Sequence, residues 1–413
     1  MFQAFKNLLA ELSHACSQLV LAENSMTPDA LPAAIPPYLQ NPAPDGMTIC
    51  FAARRAKEVR VAWNRDGETT PLEIEASPAA VPGTPWTIWK TRLAGLQPGI
   101  AYRYQLRYRM AGQEVVEGPH VFHTPDPQAE NVRVAVFNDL HNNDEMLALL
   151  MRQVRPDDYE FSVLLGDCWE DPSLVDGARQ TFATLDAYVR LLNASTKPML
   201  FVRGNHETRG EFAALLGLLF DLPNLDASAS FANQDYPFSL QAGPVWFLAM
   251  DCGDDFHKRM ELFQTYRQRQ LAWLEKQLAA KAGDTTSWRL LLSHIPIYNN
   301  NIWNSEPARL LWEPTLSTAR LDLAFAGHDH GWKLLEKNQP LLHSTEEKDA
   351  AGHSFRKTWT VTPPYPVLIG GGPAPGKGTV ILLQATRQAL QARLLGVASS
   401  HPLAEVNLQA GRE

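Results

Sequence analysis

The chain has 413 residues, 45% of them hydrophobic, and its 37 basic and 45 acidic side chains leave a formal net charge of −8. That length supports two or more domains with a large buried core. The acidic balance weighs against a surface devoted to extended nucleic acid or anionic membrane, and no apolar run reaches the ~18–20 residues that a membrane span needs.

At the N-terminus, Phe2, Phe5, Leu8, Leu9, Leu12, Cys16 and Leu19 recur at helical spacing, so residues 1–26 are expected to form an amphipathic helix docked on a domain. Glu11, Ser13, His14 and Gln18 break the continuous apolar centre that a secretory signal requires, and a cytoplasmic location is expected. Lys6 is the only Lys or Arg in this segment, which argues against an interfacial membrane helix. Residues 27–46, TPDALPAAIPPYLQNPAPDG, are proline-rich and read as a linker. Cys16, Cys50, Cys168 and Cys252 are widely separated and form no CxxC, so neither a zinc–thiolate site nor a disulfide framework is expected.

Residues 47–127 change to short alternating segments, among them MTICFAA, EVRVAWN, WTIWKTRL and YRYQLRYR, the pattern of an antiparallel β-sandwich. Within it, LAGLQPGIAYRYQL (93–106) resembles the L-x-P-x-x-x-Y-x-Y corner of fibronectin type III domains. The resemblance implies a tyrosine-corner hydrogen bond for Tyr102.

From residue 128 to about 405, apolar strands alternate with helix-like segments such as EMLALLMRQV, ARQTFATLDAYVRLL, EFAALLGLLFDL and YRQRQLAWLEKQLAAK, which predicts an α/β domain. Near its end, GGGPAPGKG lacks the Ser or Thr of a phosphate loop, because Gly378 stands in that place. A hairpin loop is expected there. Tyr298–Pro314 and Phe256–Phe263 read as loops, the first carrying Trp303 and Trp312, which could stack on an organic group or anchor the loop.

One feature recurs five times in this domain: an apolar strand ends directly in residues able to bind a metal. The instances are FNDLH with Asp139 and His141, LLGDCW with Asp167, RGNHE with Asn205 and His206, LLSHIP with His294, and AFAGHDH with His328 and His330. Singly, each has an ordinary reading as turn former, helix cap or packed histidine. Jointly they converge, because ligand crevices in α/β sheets lie beyond the carboxyl ends of the strands. His328 and His330, at i and i+2, would point to one side if the backbone stayed extended. Arg203 and Arg209 flank RGNHE and are candidates for holding a phosphate oxygen, while DCGDD (251–255) reads as a rim loop without a catalytic role.

The ordered motifs DLH, GD, GNHE, SH and GHDH closely resemble those of the calcineurin-like metallophosphoesterase superfamily over residues 131–335. With the upstream sandwich, the chain resembles purple acid phosphatases. The resemblance implies an α/β fold: a metallophosphoesterase β-sandwich core flanked by helices, preceded by an all-β fibronectin type III-like domain. It also implies two divalent cations, the first on Asp139, His141, Asp167 and His330, the second on Asp167, Asn205, His294 and His328, with Asp167 bridging. A water between them would be activated for in-line attack on phosphorus, and His206 would protonate the leaving oxygen. Glu170 stands where purple acid phosphatases supply a tyrosine, and His141 replaces a glycine, so a purple ferric centre is not expected; manganese, iron or zinc suits the donors. The implied partner is a small phosphate ester, a monoester being preferred to a diester or nucleotide. A catalytically silent relic would have lost one of these residues, and none is missing. Nothing in the residues identifies a protein partner.

Overall fold

The computed structural model describes residues 32–224, 234–255, 261–284, 287–299, 302–348 and 354–411. The helix expected over residues 1–26 lies outside them. The chain divides into two units, Met1–Ala34 and Ile35–Glu413, and the sheets below belong to the second.

Eight strands build the first domain: β1 (Ala34–Ala43), β2 (Gly46–Arg54), β3 (Lys57–Arg65), β4 (Leu72–Glu75), β5 (Ser77–Ala80), β6 (Trp86–Ala94), β7 (Ala101–Met110) and β8 (Gln113–His123). They form two four-stranded sheets, β1-β2-β6-β5 and β4-β3-β7-β8. Strand β7 explains the layering. Tyr102, Tyr104, Leu106 and Tyr108 are buried and alternate with more exposed Arg103, Gln105, Arg107 and Arg109, the period of two that a half-buried strand requires. Tyr102 closes the expected corner by accepting a hydrogen bond from the backbone N–H of Gln97 at 2.9 Å.

Strand β1 corrects the linker reading over residues 34–43; residues 27–31 lie outside the described ones. The prolines of β1, Pro36, Pro37 and Pro42, are tolerated because the strand lies at the edge of its sheet, where one side of the backbone needs no ladder partner. This strand also fastens the sandwich to the second domain. Leu39 N–H donates to Ala194 O at 2.9 Å, and Tyr38 Oη to Leu219 O at 2.7 Å. Farther along the interface, Tyr104 Oη donates to Ser195 O at 2.7 Å, and Trp86 stacks on Phe182 with ring centroids 4.4 Å apart.

In the second domain, β9 (Asn131–Phe137), β10 (Phe161–Leu165) and β11 (Met199–Val202) run parallel. They are joined by β20 (Thr379–Thr386), β21 (Ala389–Gly396) and β22 (Ala404–Gln409) into a six-stranded sheet of order β11-β10-β9-β20-β21-β22. A second six-stranded sheet contains β12 (Phe238–Ala242), β13 (Val245–Met250), β14 (Trp288–Ser293), β15 (Leu323–Ala326), β16 (Lys333–Leu335) and β19 (Val367–Ile369). Its order is β12-β13-β14-β15-β19-β16, and β17 (Leu341–Lys348) pairs with β18 (Ser354–Val361) in a separate two-stranded sheet. The central strands are buried along their whole length, as strands covered on both faces must be. Phe161 of β10 meets Phe247 of β13 edge-on, centroids 5.7 Å apart, so the two sheets pack on each other. The outer layers hold helices α1 (Asp144–Met151) and α2 (Val175–Leu191), and α3 (Gln264–Ala280) and α4 (Ile302–Leu316). No helix among the described residues is long and apolar enough to cross a membrane.

Four further expectations change. EFAALLGLLFDL is not an α-helix but a series of turns with a short 3-10 turn at Leu216–Leu219; the sandwich takes the carbonyls of Leu219 and Phe220 through Tyr38 and Lys90. Part of the segment Tyr298–Pro314 is helical, because the packing of Ala308, Trp312 and Leu316 into the core overrides Pro307 and Pro314. The glycine-rich stretch is not a hairpin, since β19 and β20 lie in different sheets and residues 370–378 cross between them. Strand β22 carries the second domain past residue 405 to Gln409.

Candidate metal centre

All five motifs leave their strands at one rim, three from the first sheet (β9, β10, β11) and two from the second (β14, β15). Asp139, His141, Asp167, His328 and His330 all have positive φ, between 48° and 76°. For residues other than glycine that conformation costs of order 1–3 kcal/mol each and persists only where the surroundings over-determine it. Here they do. Asp139 N–H donates to Gly166 O at 3.0 Å, His141 N–H to Asp167 O at 2.9 Å, and Gly327 N–H to His294 O at 2.9 Å. His328 N–H donates to Asp139 Oδ2 at 2.8 Å, and His206 N–H to Asp167 Oδ1 at 2.9 Å. The backbone after β15 is therefore left-handed rather than extended, and this turn, not strand alternation, aims His328 and His330.

Three clusters of donor atoms result: His141, Glu170 and His206 form one, and Asp167 belongs to the other two. Of these two, the first gathers Asp139, His141, Asp167 and His330; the second gathers Asp167, His294 and His328. In the first, Asp139 Oδ1 is buried, accepts no hydrogen bond from the described residues and lies 3.3 Å from His330 Nε2. His141 Nε2 is 3.0 Å from His330 Nε2 and 3.9 Å from both Asp139 Oδ1 and Asp167 Oδ2. In the second, His294 Nδ1 donates to Leu165 O at 2.9 Å and Nε2 stands 3.0 Å from Asp167 Oδ2. Asn205 Oδ1 lies 2.9 Å from His328 Nδ1, which brings it to the edge of that cluster.

Burial opposes charge on Asp139, His141, Asp167 and His294, yet their mutual fields dominate, whereas burial and the charge of His294 hold His328 below the ordinary imidazole range. The carboxylates of Asp139, Asp167 and Glu170 hold His141 at about 10, and Asp167 and Asp139 hold His294 at about 10. Asp139 is in turn driven below the ordinary carboxylate range by His294, His141 and His330. An orphaned carboxylate oxygen and imidazole nitrogens crowded at 3.0–3.3 Å are the arrangement a cation would relieve. The donors, nitrogen and oxygen without sulfur, fit manganese, iron or zinc.

His206 stands beside the first cluster, its ring centroid 4.7 Å from that of His141. Its Nδ1 is 2.9 Å from Asp171 Oδ1 and 3.2 Å from Glu170 Oε1, and its Nε2 accepts from Arg209 Nη1 at 3.2 Å. Burial lowers its pKa, but hydrogen bonding to Glu170 and the charges of Asp167 and Glu170 outweigh that and raise it.

The two arginines separate. Arg209 lies at the rim, held by Asp254 at 3.1 Å and by Asp255, so DCGDD supplies its anchors. Arg203 is a correction. It is buried, pairs with Asp251 at 2.7 Å and lies 4.1 Å over the Tyr236 ring, which turns it into the core and away from any phosphate. Trp312 is likewise a core anchor, donating to Arg267 O at 3.1 Å, and the side chain of Trp303 is not among those described.

Several supporting residues escaped the sequence reading. Glu207 is fully buried and accepts four backbone N–H groups, from Asp167, Cys168, Trp169 and Gly204, at 2.7–2.9 Å, tying the GD loop to the GNHE loop. Asn138 Nδ2 donates to Asp139 Oδ2 at 2.6 Å and to Gly371 O at 2.7 Å. The glycine-rich crossing thus backs the site: a side chain at Gly370 would strike Asn138, and one at Gly372 would strike His330. Asp329 receives Asn299 Nδ2 at 2.8 Å and pairs with Lys333, so it braces the GHDH turn.

Residues 132–332 match the family model of calcineurin-like phosphoesterases. Residues 132–332 of the second domain thus form a calcineurin-like phosphoesterase domain, and the chain is similar to purple acid phosphatases. Purple acid phosphatase 22 of Arabidopsis thaliana is 26% identical over 259 residues, 60% of this chain and 54% of its own length. Probable purple acid phosphatase 20 of the same plant is 28% identical over 251 residues, 58% and 53% of the two chains. A purple acid phosphatase of Glycine max is 34% identical over 150 residues, 34% and 30%. The chain spans about half the length of the first two relatives.

Proposed function

We propose that this chain is a metal-dependent phosphomonoesterase working with two divalent cations. The observation that carries the reading is Asp167, whose carboxylate is common to the cluster with Asp139, His141 and His330 and the cluster with His294 and His328. The first cation would be held by Asp139, His141, Asp167 and His330, the second by Asp167, Asn205, His294 and His328. When bound, such a pair activates water near neutral pH and neutralises charge on phosphoryl oxygens.

The chain's own residues do the rest. His206, with Nδ1 held by Asp171, presents Nε2 to the leaving oxygen and donates the proton there. Arg209 Nη1 points at that same nitrogen at 3.2 Å, and both groups cannot donate along one line. Arg209 therefore turns to a phosphate oxygen when the ester arrives, which leaves His206 Nε2 able to carry its proton. Asn138 and Glu207 keep Asp139 and Asp167 aimed throughout.

The test is metal analysis of the purified chain together with kinetics on aryl and alkyl monoesters, a diester and nucleotides. Two cations per chain are expected, with kcat/KM for monoesters exceeding that for diesters by about tenfold or more, roughly 1.4 kcal/mol of transition-state preference. A reversed ratio would make it a diesterase. Absence of turnover on every substrate in the metal-loaded protein would make it a binding protein.

A further inference from the structure

We propose that Glu170, in the place of the purple enzymes' tyrosine, is a positioning residue that holds His141 for the first cation and touches His206 with its other oxygen. The proposal rests on the two-cation reading above. Glu170 Oε2 bonds to His141 Nδ1, while Oε1 lies 3.2 Å from His206 Nδ1. An ionised carboxylate only accepts hydrogen bonds, so it keeps a proton of His141 on Nδ1, and once Nε2 gives up its own proton the Nε2 lone pair faces the cluster. That nitrogen is the one 3.9 Å from Asp139 Oδ1 and Asp167 Oδ2. Carboxylates placed behind a ligating imidazole fix its tautomer and orientation and raise its basicity.

Glu170 lies on the Nδ1 side of the His141 ring and forms a third donor group with His141 and His206, so the titration below distinguishes an acceptor behind the ligand from a ligand. The two histidines depend on it unequally. His206 has a second carboxylate, Asp171 at 2.9 Å, whereas Glu170 is the carboxylate bonded to His141 Nδ1. Removing Glu170 must therefore loosen the metal site more than it disturbs His206. Its side chain is 49% exposed, so substitution leaves the fold intact.

The experiment is zinc titration of the full chain against a chromogenic chelator, for wild type, Glu170→Ala, Glu170→Gln, Asp171→Ala and His330→Ala. The binding step lost in His330→Ala identifies the first site. Glu170→Ala is expected to weaken that same step by about 10–100-fold and leave the other within about two-fold, with Glu170→Gln, which keeps one acceptor oxygen, in between. Asp171→Ala is expected to change neither step. Unchanged affinity in Glu170→Ala, weakening of the other step, or a loss as deep as that of His330→Ala would each overturn the proposal, the last by making Glu170 a ligand. Wild-type protein taking up fewer than two zinc ions would overturn the two-cation reading itself, and this proposal with it.

Discussion

His294 turns one nitrogen to the main chain and the other to Asp167: Nδ1 donates to Leu165 O at 2.9 Å, and Nε2 stands 3.0 Å from Asp167 Oδ2. Two lone pairs cannot face each other at that distance in a buried site. Either a proton or a cation lies between them, and the two compete. Burial disfavours a charged imidazole, but Asp167 and Asp139 outweigh it and push His294 up to about 10 without a cation; His141, held by Asp139 and Glu170, is likewise at about 10.

The sign of the pH dependence follows. Near neutral pH the metal-free protein holds protons on both imidazoles, and cation binding needs the bare nitrogens, so uptake releases protons and affinity falls as pH falls. Calorimetric titrations in two buffers of different ionisation heat will show release of about one to two protons per chain. Metal uptake without proton release would contradict the arrangement.

Replacing His206 separates catalysis from assembly. His206→Ala is expected to retain both cations and near-normal stability while turnover falls about 10²–10⁴-fold. An alkyl ester leaves as a strongly basic alkoxide, so its hydrolysis will suffer more than that of a nitrophenyl ester. Equal losses on both substrates would favour a purely electrostatic role for the ring.

The two arginines of RGNHETR make different predictions. Arg203→Met strands Asp251 in the core beside Tyr266, and urea denaturation will show a loss of about 3–5 kcal/mol, the cost of breaking a buried pair. The kcat of its folded fraction will change little. Arg209→Ala also breaks a buried pair, with Asp254, and is expected to cost stability, but its distinguishing effect will be a raised KM for phosphate esters. A kinetic defect confined to Arg203→Met would exchange the two roles.

Colour provides a further check. By the resemblance of its GD motif to that of purple acid phosphatases, this chain carries Glu170 where those enzymes supply a tyrosine. The iron-loaded protein is therefore expected to lack a tyrosinate-to-iron charge-transfer band in its visible spectrum. A purple preparation would mean that a phenolate reaches the metal.

The sequence was most legible where chemistry and backbone period coincide. Apolar strands ending in Asp, Asn or His announce themselves within ten residues, and they supply the two donor groups that share Asp167. What stayed hidden depends on distant partners. Pro36 and Pro37 argue against a strand unless the strand is known to lie at an edge, and that is a property of the whole sheet. Arg203 and Arg209 are alike on paper; only Asp251 and Tyr236, about fifty and thirty residues away, turn one of them inward. The pairing of β20 with β9, Val380 opposite Phe137, joins segments more than two hundred residues apart and leaves no local trace. Glu207 shows the same limit at close range, for its adjacency to His206 says nothing of the four N–H groups that its burial collects.

The shared carboxylate is the central claim, and anomalous diffraction from manganese-loaded crystals tests it most directly. Two peaks about 3.5–4 Å apart, one on either side of the Asp167 carboxylate, are predicted for the wild type. In Asp167→Asn, at most one peak is expected and turnover is lost on every substrate. A single wild-type peak, or two peaks with substantial activity in Asp167→Asn, would contradict the account.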